Sequence, residues 1–277
     1  MNLENLKLGD IMRVRVLKKG LDIDELKLRR PVVFQGFAGI GNVGLVAVDY
    51  MSTKMGARPI LQISNLDVPA IALVDDGIFS NWFDSFSIFI HMLRGTERDY
   101  LFISSYSQPF TPLGSNIIAH VLLHIMKRLS AETIISLGCF GATHYVRNPK
   151  VYVSATNKRM LEEFLALENI VPLRGGRISG LNGTVPLLAP QYGIEGVSLL
   201  AEGHSGINFN PRSSKALIDV LNLKYNLNVD TTFLEKHAVR MEEELKKEEA
   251  VPPEVMRRIM SSFREEKDRE PTETYYT

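Results

Sequence analysis

Three glycines, Gly39, Gly41 and Gly44, stand in the order G-x-G-x-x-G within the stretch GFAGIGNVG, directly after an apolar run. Where a strand feeds a helix through such a turn, backbone N–H groups at the helix start can hold a pyrophosphate that the glycines allow to approach. A dinucleotide site also needs an acidic residue at the end of the next strand to bind the ribose. Asp67 is the nearest, later than the customary ~20 residues and close to Pro69. Close packing of helix on strand and a turn with positive φ call for the same glycines. That reading needs no acid and is the one preferred here.

A second group lies further on. Cys139 follows TIISLG, with His144 shortly after it, while Glu202 and His204 close another apolar run in AEGHSG. All four can reach the carboxyl edge of a parallel sheet, where α/β proteins place ligands. A thiolate–imidazole pair or a mononuclear metal site can be drawn from them. No nucleophile motif frames Cys139, so a small buried cysteine and loop-capping histidines account for the same residues. His91, His120 and His124 fall on apolar segments. His120 and His124 are one helical turn apart without the Glu of a zinc-binding helix, and are read as packing or surface residues.

The third group is Tyr275, Tyr276 and Thr277, an aromatic residue, a tyrosine and a carboxylate after a polar stretch. Such an end can enter a partner's pocket, the ring supplying area and the carboxylate pairing with a lysine or a backbone nest.

The elements that must position these groups follow from periodicity. Strands are expected at 31–37, 60–64, 71–74, 87–92, 100–104, 133–137, 151–154 and 197–201, with strand-like alternation at MRVRV. Helices are expected at 43–55, 115–129, 158–167, 184–191 and 213–225, the last capped by Ser213 or Ser214. Strands alternating with helices predict a three-layer α/β/α domain around a largely parallel sheet. Beyond it, 231–250 carries Phe233, Leu234, Ala238, Met241 and Leu245 as one stripe, and after VPP a second stripe runs through Val255, Ile259 and Phe263. The chain is therefore expected to divide into an α/β core at 1–226, a helical hairpin at 227–263 and a polar, mobile tail at 264–277.

Composition narrows the function classes. The 277 residues are 45% hydrophobic, enough for a sizeable core. Lys+Arg and Asp+Glu both number 32, so no global field favours nucleic acid or an anionic membrane. A single cysteine cannot form an internal disulfide, and no apolar run reaches the roughly 20 residues of a spanning helix. A cytoplasmic protein is expected.

The stretch PVVFQGFAGIGNVGLVAVDYMSTKMGA, with SGLNGTVPLLAPQYGIEGVSLLAEGH and the trailing helical hairpin, resembles the archaeal homologues of proteasome assembly chaperones. These are relatives of the second eukaryotic proteasome assembly chaperone. The resemblance runs from about Pro31 to the C-terminal helices, and GFAGIGNVG is its most specific part. It implies an α/β fold similar to nucleoside phosphorylases and related hydrolases, with no recognised catalytic set and no cofactor. It also implies a homo-oligomer that binds the proteasome α-ring or core particle as an assembly chaperone or ATP-independent activator. Some members end in a hydrophobic-Tyr-any motif like that of proteasome-activating ATPases. Carried over, Tyr275 takes the hydrophobic position, Tyr276 is the anchor and Thr277 supplies the carboxylate. Tyr275 departs from the usual aliphatic residue. The alternative is a small-molecule enzyme or nucleotide-binding protein of the phosphorylase or hydrolase type, built on the glycine turn with Cys139, His144, Glu202 or His204.

Overall fold

The run PVVFQGF is apolar on both faces but for Gln35, whose Nε2 donates to Leu181 O at 2.9 Å, as a strand covered from both sides requires. In the computed structural model, which describes residues 12–16, 23, 25–65, 67–68, 74–79 and 86–249, it lies at the heart of a sheet. The chain begins with β1 (Met12–Val16), β2 (Val32–Phe37), α1 (Val43–Lys54) and β3 (Arg58–Asn65). A small hairpin, β4 (Val74–Asp75) and β5 (Ile78–Phe79), precedes β6 (Ser87–Leu93), β7 (Tyr100–Ser105), α2 (Pro112–Arg128) and β8 (Thr133–Ala142). Then come β9 (Val151–Ala155), α3 (Lys158–Leu165), β10 (Ile170–Pro172), α4 (Leu181–Leu188), β11 (Glu195–His204), α5 (Pro211–Tyr225) and α6 (Thr232–Glu249).

Among the described residues, nine strands form one sheet in the order β1-β3-β6-β7-β2-β8-β11-β9-β10. The expected parallel character belongs to its centre, where β7, β2, β8 and β11 run together. The flanks are antiparallel, with β6 against β7 and β3 on one side and β9 against β11 on the other. The reason is the connection: the few residues between β6 and β7 cannot hold a crossover, so the chain turns straight back. One face of the sheet is covered by α2 and α4, through Ile118, Leu122, Ile125, Leu181 and Val185. The other is covered by α1, α3 and α5, through Val43, Met51, Phe164, Leu217 and Leu221. Three layers with two buried cores result.

Several helix ends differ from expectation. The α2 helix starts at Pro112 because Thr111 caps it, its Oγ1 accepting from Gly114 N at 3.0 Å. The α4 helix starts at Leu181 and tightens into a 3-10 turn at Ala189–Tyr192. Neither Ser213 nor Ser214 caps α5. Asn210 precedes Pro211 there, and the serine hydroxyls donate inside the fold, Ser213 to Glu202 O at 2.5 Å and Ser214 to Val43 O at 3.0 Å. Of the strand expected at 71–74, residues 71–73 lie outside the described residues, and Val74 opens the β4–β5 hairpin. The first stripe expected beyond the core forms α6. The second stripe, with Val255, Ile259 and Phe263, and the tail with Tyr275, Tyr276 and Thr277 lie outside the described residues. The chain divides into two units at Leu234 and Glu235.

Candidate functional site

After β2 the chain leaves through α1 toward β3, and after β8 it departs the opposite way toward β9. The crevice between the carboxyl ends of β2 and β8 is therefore the switch point at which open α/β sheets bind ligands. The glycine turn lies in it. Gly41 and Asn42 take φ of 59° and 51°, two left-handed residues in succession. A Cβ on Gly41 would overlap the Asn210 amide, and one on Gly44 would overlap the Leu137 carbonyl oxygen. A Cβ on Gly36 would in turn overlap the carbonyl oxygen of Gly44. The glycines let β2, α1 and β8 touch backbone to backbone.

The crevice holds a cavity of about 130 Å³, lined by Phe37, Ile40, Gln108, Cys139, Arg177 and Asn182 among others. Ligand pockets usually span ~300–1,000 Å³. Its two side-chain amides are also engaged. Asn182 Oδ1 accepts from Phe37 N at 3.2 Å and its Nδ2 donates to Phe37 O at 3.4 Å. Gln108 Nε2 donates to Ala38 O at 2.6 Å, while Oε1 accepts from Leu181 N at 2.8 Å and closes the start of α4. These amides hold the turn together and have little left for a ligand.

The candidate chemical residues take structural places. Cys139 is half-buried, its Sγ 3.7 Å from Gly203 O. Burial pushes its thiol up to about 11, so it stays protonated at neutral pH, the opposite of an activated nucleophile. Glu202 accepts from Lys150 N at 3.0 Å and from the Tyr152 hydroxyl at 2.8 Å, pinning the entry to β9. His204 Nδ1 accepts from Gly206 N at 2.9 Å, and the His204 main-chain N–H donates to Asn210 Oδ1 at 3.0 Å. His144 is exposed after β8. Asp67 accepts from Thr111 N at 2.8 Å and Oγ1 at 2.9 Å at the head of α2, where no ribose reading is needed to explain it. His120 Nδ1 meets the Tyr192 hydroxyl at 2.8 Å on the surface, and His124 is half-buried on the same helix. His91 sits on β6, where burial lowers its pKa against the opposing pull of Asp49. Among the described residues, no three His, Cys, Asp or Glu side chains converge to hold a metal. Likewise no described helix is long and apolar enough to cross a membrane.

Two features have no counterpart in the sequence reading. A groove of about 570 Å³ opens on the outer side of α1, with Leu45, Val46, Tyr50, Phe209, Phe233 and Leu234 in its walls. Tyr50 donates its hydroxyl to Asp230 O at 2.7 Å, stacks on Phe233 with centroids 6.2 Å apart, and lies 5.5 Å beneath Lys54 Nζ. The available signal was that Val46 and Tyr50 stand one turn apart beside the core-facing Val43, Ala47 and Met51, leaving α1 apolar over much of its circumference. The second feature is the β4–β5 hairpin, turned by Asp76 and Gly77 at φ of 46° and 76°. Its D-G pair is a hairpin signal legible in VDDGIF. Val74, Ile78 and Phe79 are 60%, 72% and 78% exposed.

The model of the PAC2 family matches residues 33–249. An uncharacterised protein of Methanocaldococcus jannaschii is 24% identical over 254 residues, covering 91% of this chain and 95% of its own length. Among solved structures, the fold matches Pyrococcus furiosus PbaB, an archaeal proteasome activator, with a TM-score of 0.73 at 20% identity, covering 86% of this chain and 98% of that one. It also matches P. furiosus PbaA, an archaeal homologue of proteasome-assembly chaperone, with a TM-score of 0.66 at 21% identity over 92% and 96% of the two chains. A Mycobacterium tuberculosis proteasome-assembly chaperone homologue gives a TM-score of 0.64 at 19% identity over 83% and 99%. At these identities the likeness establishes the fold.

Proposed function

The chain belongs to the PAC2 family, and from that premise we propose that it is a proteasome-binding assembly chaperone or ATP-independent activator that performs no chemistry of its own. The observation that carries the reading is a fold shared over nearly the whole length of PbaB and PbaA. The small switch-point cavity agrees with it, because its amides are bonded to the turn they hold. The protein acts in the cytoplasm as a homo-oligomer presenting several C-terminal ends to intersubunit pockets of the α-ring. Tyr276 anchors each end, Tyr275 packs beside it, and the carboxylate of Thr277 is captured by a lysine or backbone nest. One such end binds weakly. Several on one body bind tightly when their spacing lets them engage together.

The test is binding to immobilised proteasome core particle by the full chain, by Tyr276→Ala and by a chain lacking Tyr275–Thr277. Loss of an aromatic anchor costs ~2 kcal/mol or more, roughly thirty-fold per end, and avidity multiplies it. Unchanged binding by both variants would remove the tail from the reading. Absence of binding by the full chain would overturn the reading itself, and micromolar affinity for NAD or ATP by calorimetry would favour the nucleotide-binding alternative.

A further inference from the structure

We propose that the β4–β5 hairpin of one copy of this chain seats in the groove over α1 of a second copy. The inference names the self-contact of the oligomer, and so rests on the oligomeric part of the reading above. Each half is incomplete alone. The hairpin pairs two residues with two and joins no other strand among those described. A ladder that short is marginal in water without a surface to lie on. Val74 pairs directly with Phe79, so these two side chains share one face, and both are open to solvent in the single chain.

The groove has the complementary character. Its walls are mostly aromatic and aliphatic, the Asp49 carboxylate among them being taken by the Tyr106 hydroxyl, and about 570 Å³ is ample for one aromatic and one branched side chain. Charge matches as well. Lys54 lies exposed at the rim with its ammonium over the Tyr50 ring and no carboxylate partner among the described residues. Asp76, at the tip of the hairpin, is exposed and has no described cation. Seating Phe79 on the groove floor brings a carboxylate-bearing turn to a rim that carries a cation. Because knob and hole are different patches of the same chain, the contact is head-to-tail, and it closes a ring where its rotation returns to the first copy.

That geometry gives a diagnostic experiment on the full chain. Phe79→Asp spoils the knob and spares the hole, whereas Val46→Glu spoils the hole and spares the knob. By light scattering the parent should be an oligomer, each variant a monomer, and an equimolar mixture of the two a dimer with one competent contact. Lys54→Glu and Asp76→Lys should each weaken assembly about tenfold, and their combination in one chain should restore it. Thermal melts check folding, and if Val46→Glu is unfolded the Lys54 and Asp76 exchange carries the test of the groove. A monomeric parent, variants that keep the parent's mass, or a charge exchange without rescue would overturn the proposal. Loss of assembly by Val46→Glu but not by Phe79→Asp would do so too, since the groove would then hold some other segment. Core-particle binding measured on the same samples keeps the two readings apart: an oligomer assembled in this way that ignores the core particle sinks the proteasome reading and leaves the hairpin contact standing.

Discussion

The two hollows beside α1 differ in what their side chains have left to offer. At the start of the helix, in the crevice between β2 and β8, residues of catalytic type gather around about 130 Å³, with Asn182 and Gln108 bonded to main-chain groups and Cys139 kept protonated by burial. Along its outer side, about 570 Å³ is lined by Val46, Phe209 and Phe233, residues that perform no chemistry but leave apolar area exposed. Buried polar groups must find partners, and in the crevice they find them in the turn itself. The comparison teaches that a constellation spaced for catalysis can be consumed in building the fold, whereas open apolar area calls for a partner.

The comparison breaks first at Gly44. Gly44→Ala drives a Cβ into the Leu137 carbonyl oxygen, a main-chain atom that cannot step aside. A loss of about 3 kcal/mol, at the upper end for overpacking, should appear in denaturant unfolding. A ligand-binding role without a packing role would leave stability unchanged. Asn182→Ala should cost about 2 kcal/mol, because it strands the buried N–H of Phe37. The same measurement checks it, and a neutral result would mean that the amide was available for other duties.

A gentler probe is the reactivity of Cys139. With its thiol pushed up to about 11, the thiolate fraction at neutral pH is far below that of a free cysteine, and the greater nucleophilicity of a more basic thiolate offsets only part of this. Alkylation should run about tenfold or more slower than for a model peptide. Its rate should keep climbing as pH rises toward 11, since a raised pKa holds the neutral form until then. Alkylation at least as fast as the peptide's would reveal a stabilised thiolate and reopen the crevice to chemistry.

How much of this was legible varies with the range of the interactions involved. The centre of the sheet could be read because β2, β7 and β8 are buried runs, apolar on both faces. The three residues of β10 carry too short a pattern to detect. Ser213 and Ser214 looked like caps because hydroxyls serve that role locally, yet their partners are carbonyls of Glu202 and Val43, which only the tertiary structure delivers. Asp67 was visibly late for a ribose, but its destination at Thr111 required knowing how α2 docks. The groove draws Phe209 and Phe233 to a helix far earlier in the chain, and no periodicity within α1 announces them. For the tail, residue chemistry alone speaks, because Tyr275–Thr277 lie outside the described residues.

The place of β2 between β7 and β8 has a consequence for the life of the chain during synthesis. Both of its neighbours are made long after it: β7 only once α1, β3 and β6 have been translated, and β8 only once α2 has followed. Until β7 emerges the nascent polypeptide carries this buried strand with both edges unpaired, until β8 emerges one edge stays open, and over the same interval the α1 turn lacks the Leu137 carbonyl against which Gly44 closes. Such an edge is a template for pairing with other chains, and contacts so distant in sequence form slowly. The interval between translating β2 and translating β8 is thus when the growing chain is most open to aggregation, and it ends as the β8 strand slots in and completes the middle of the sheet.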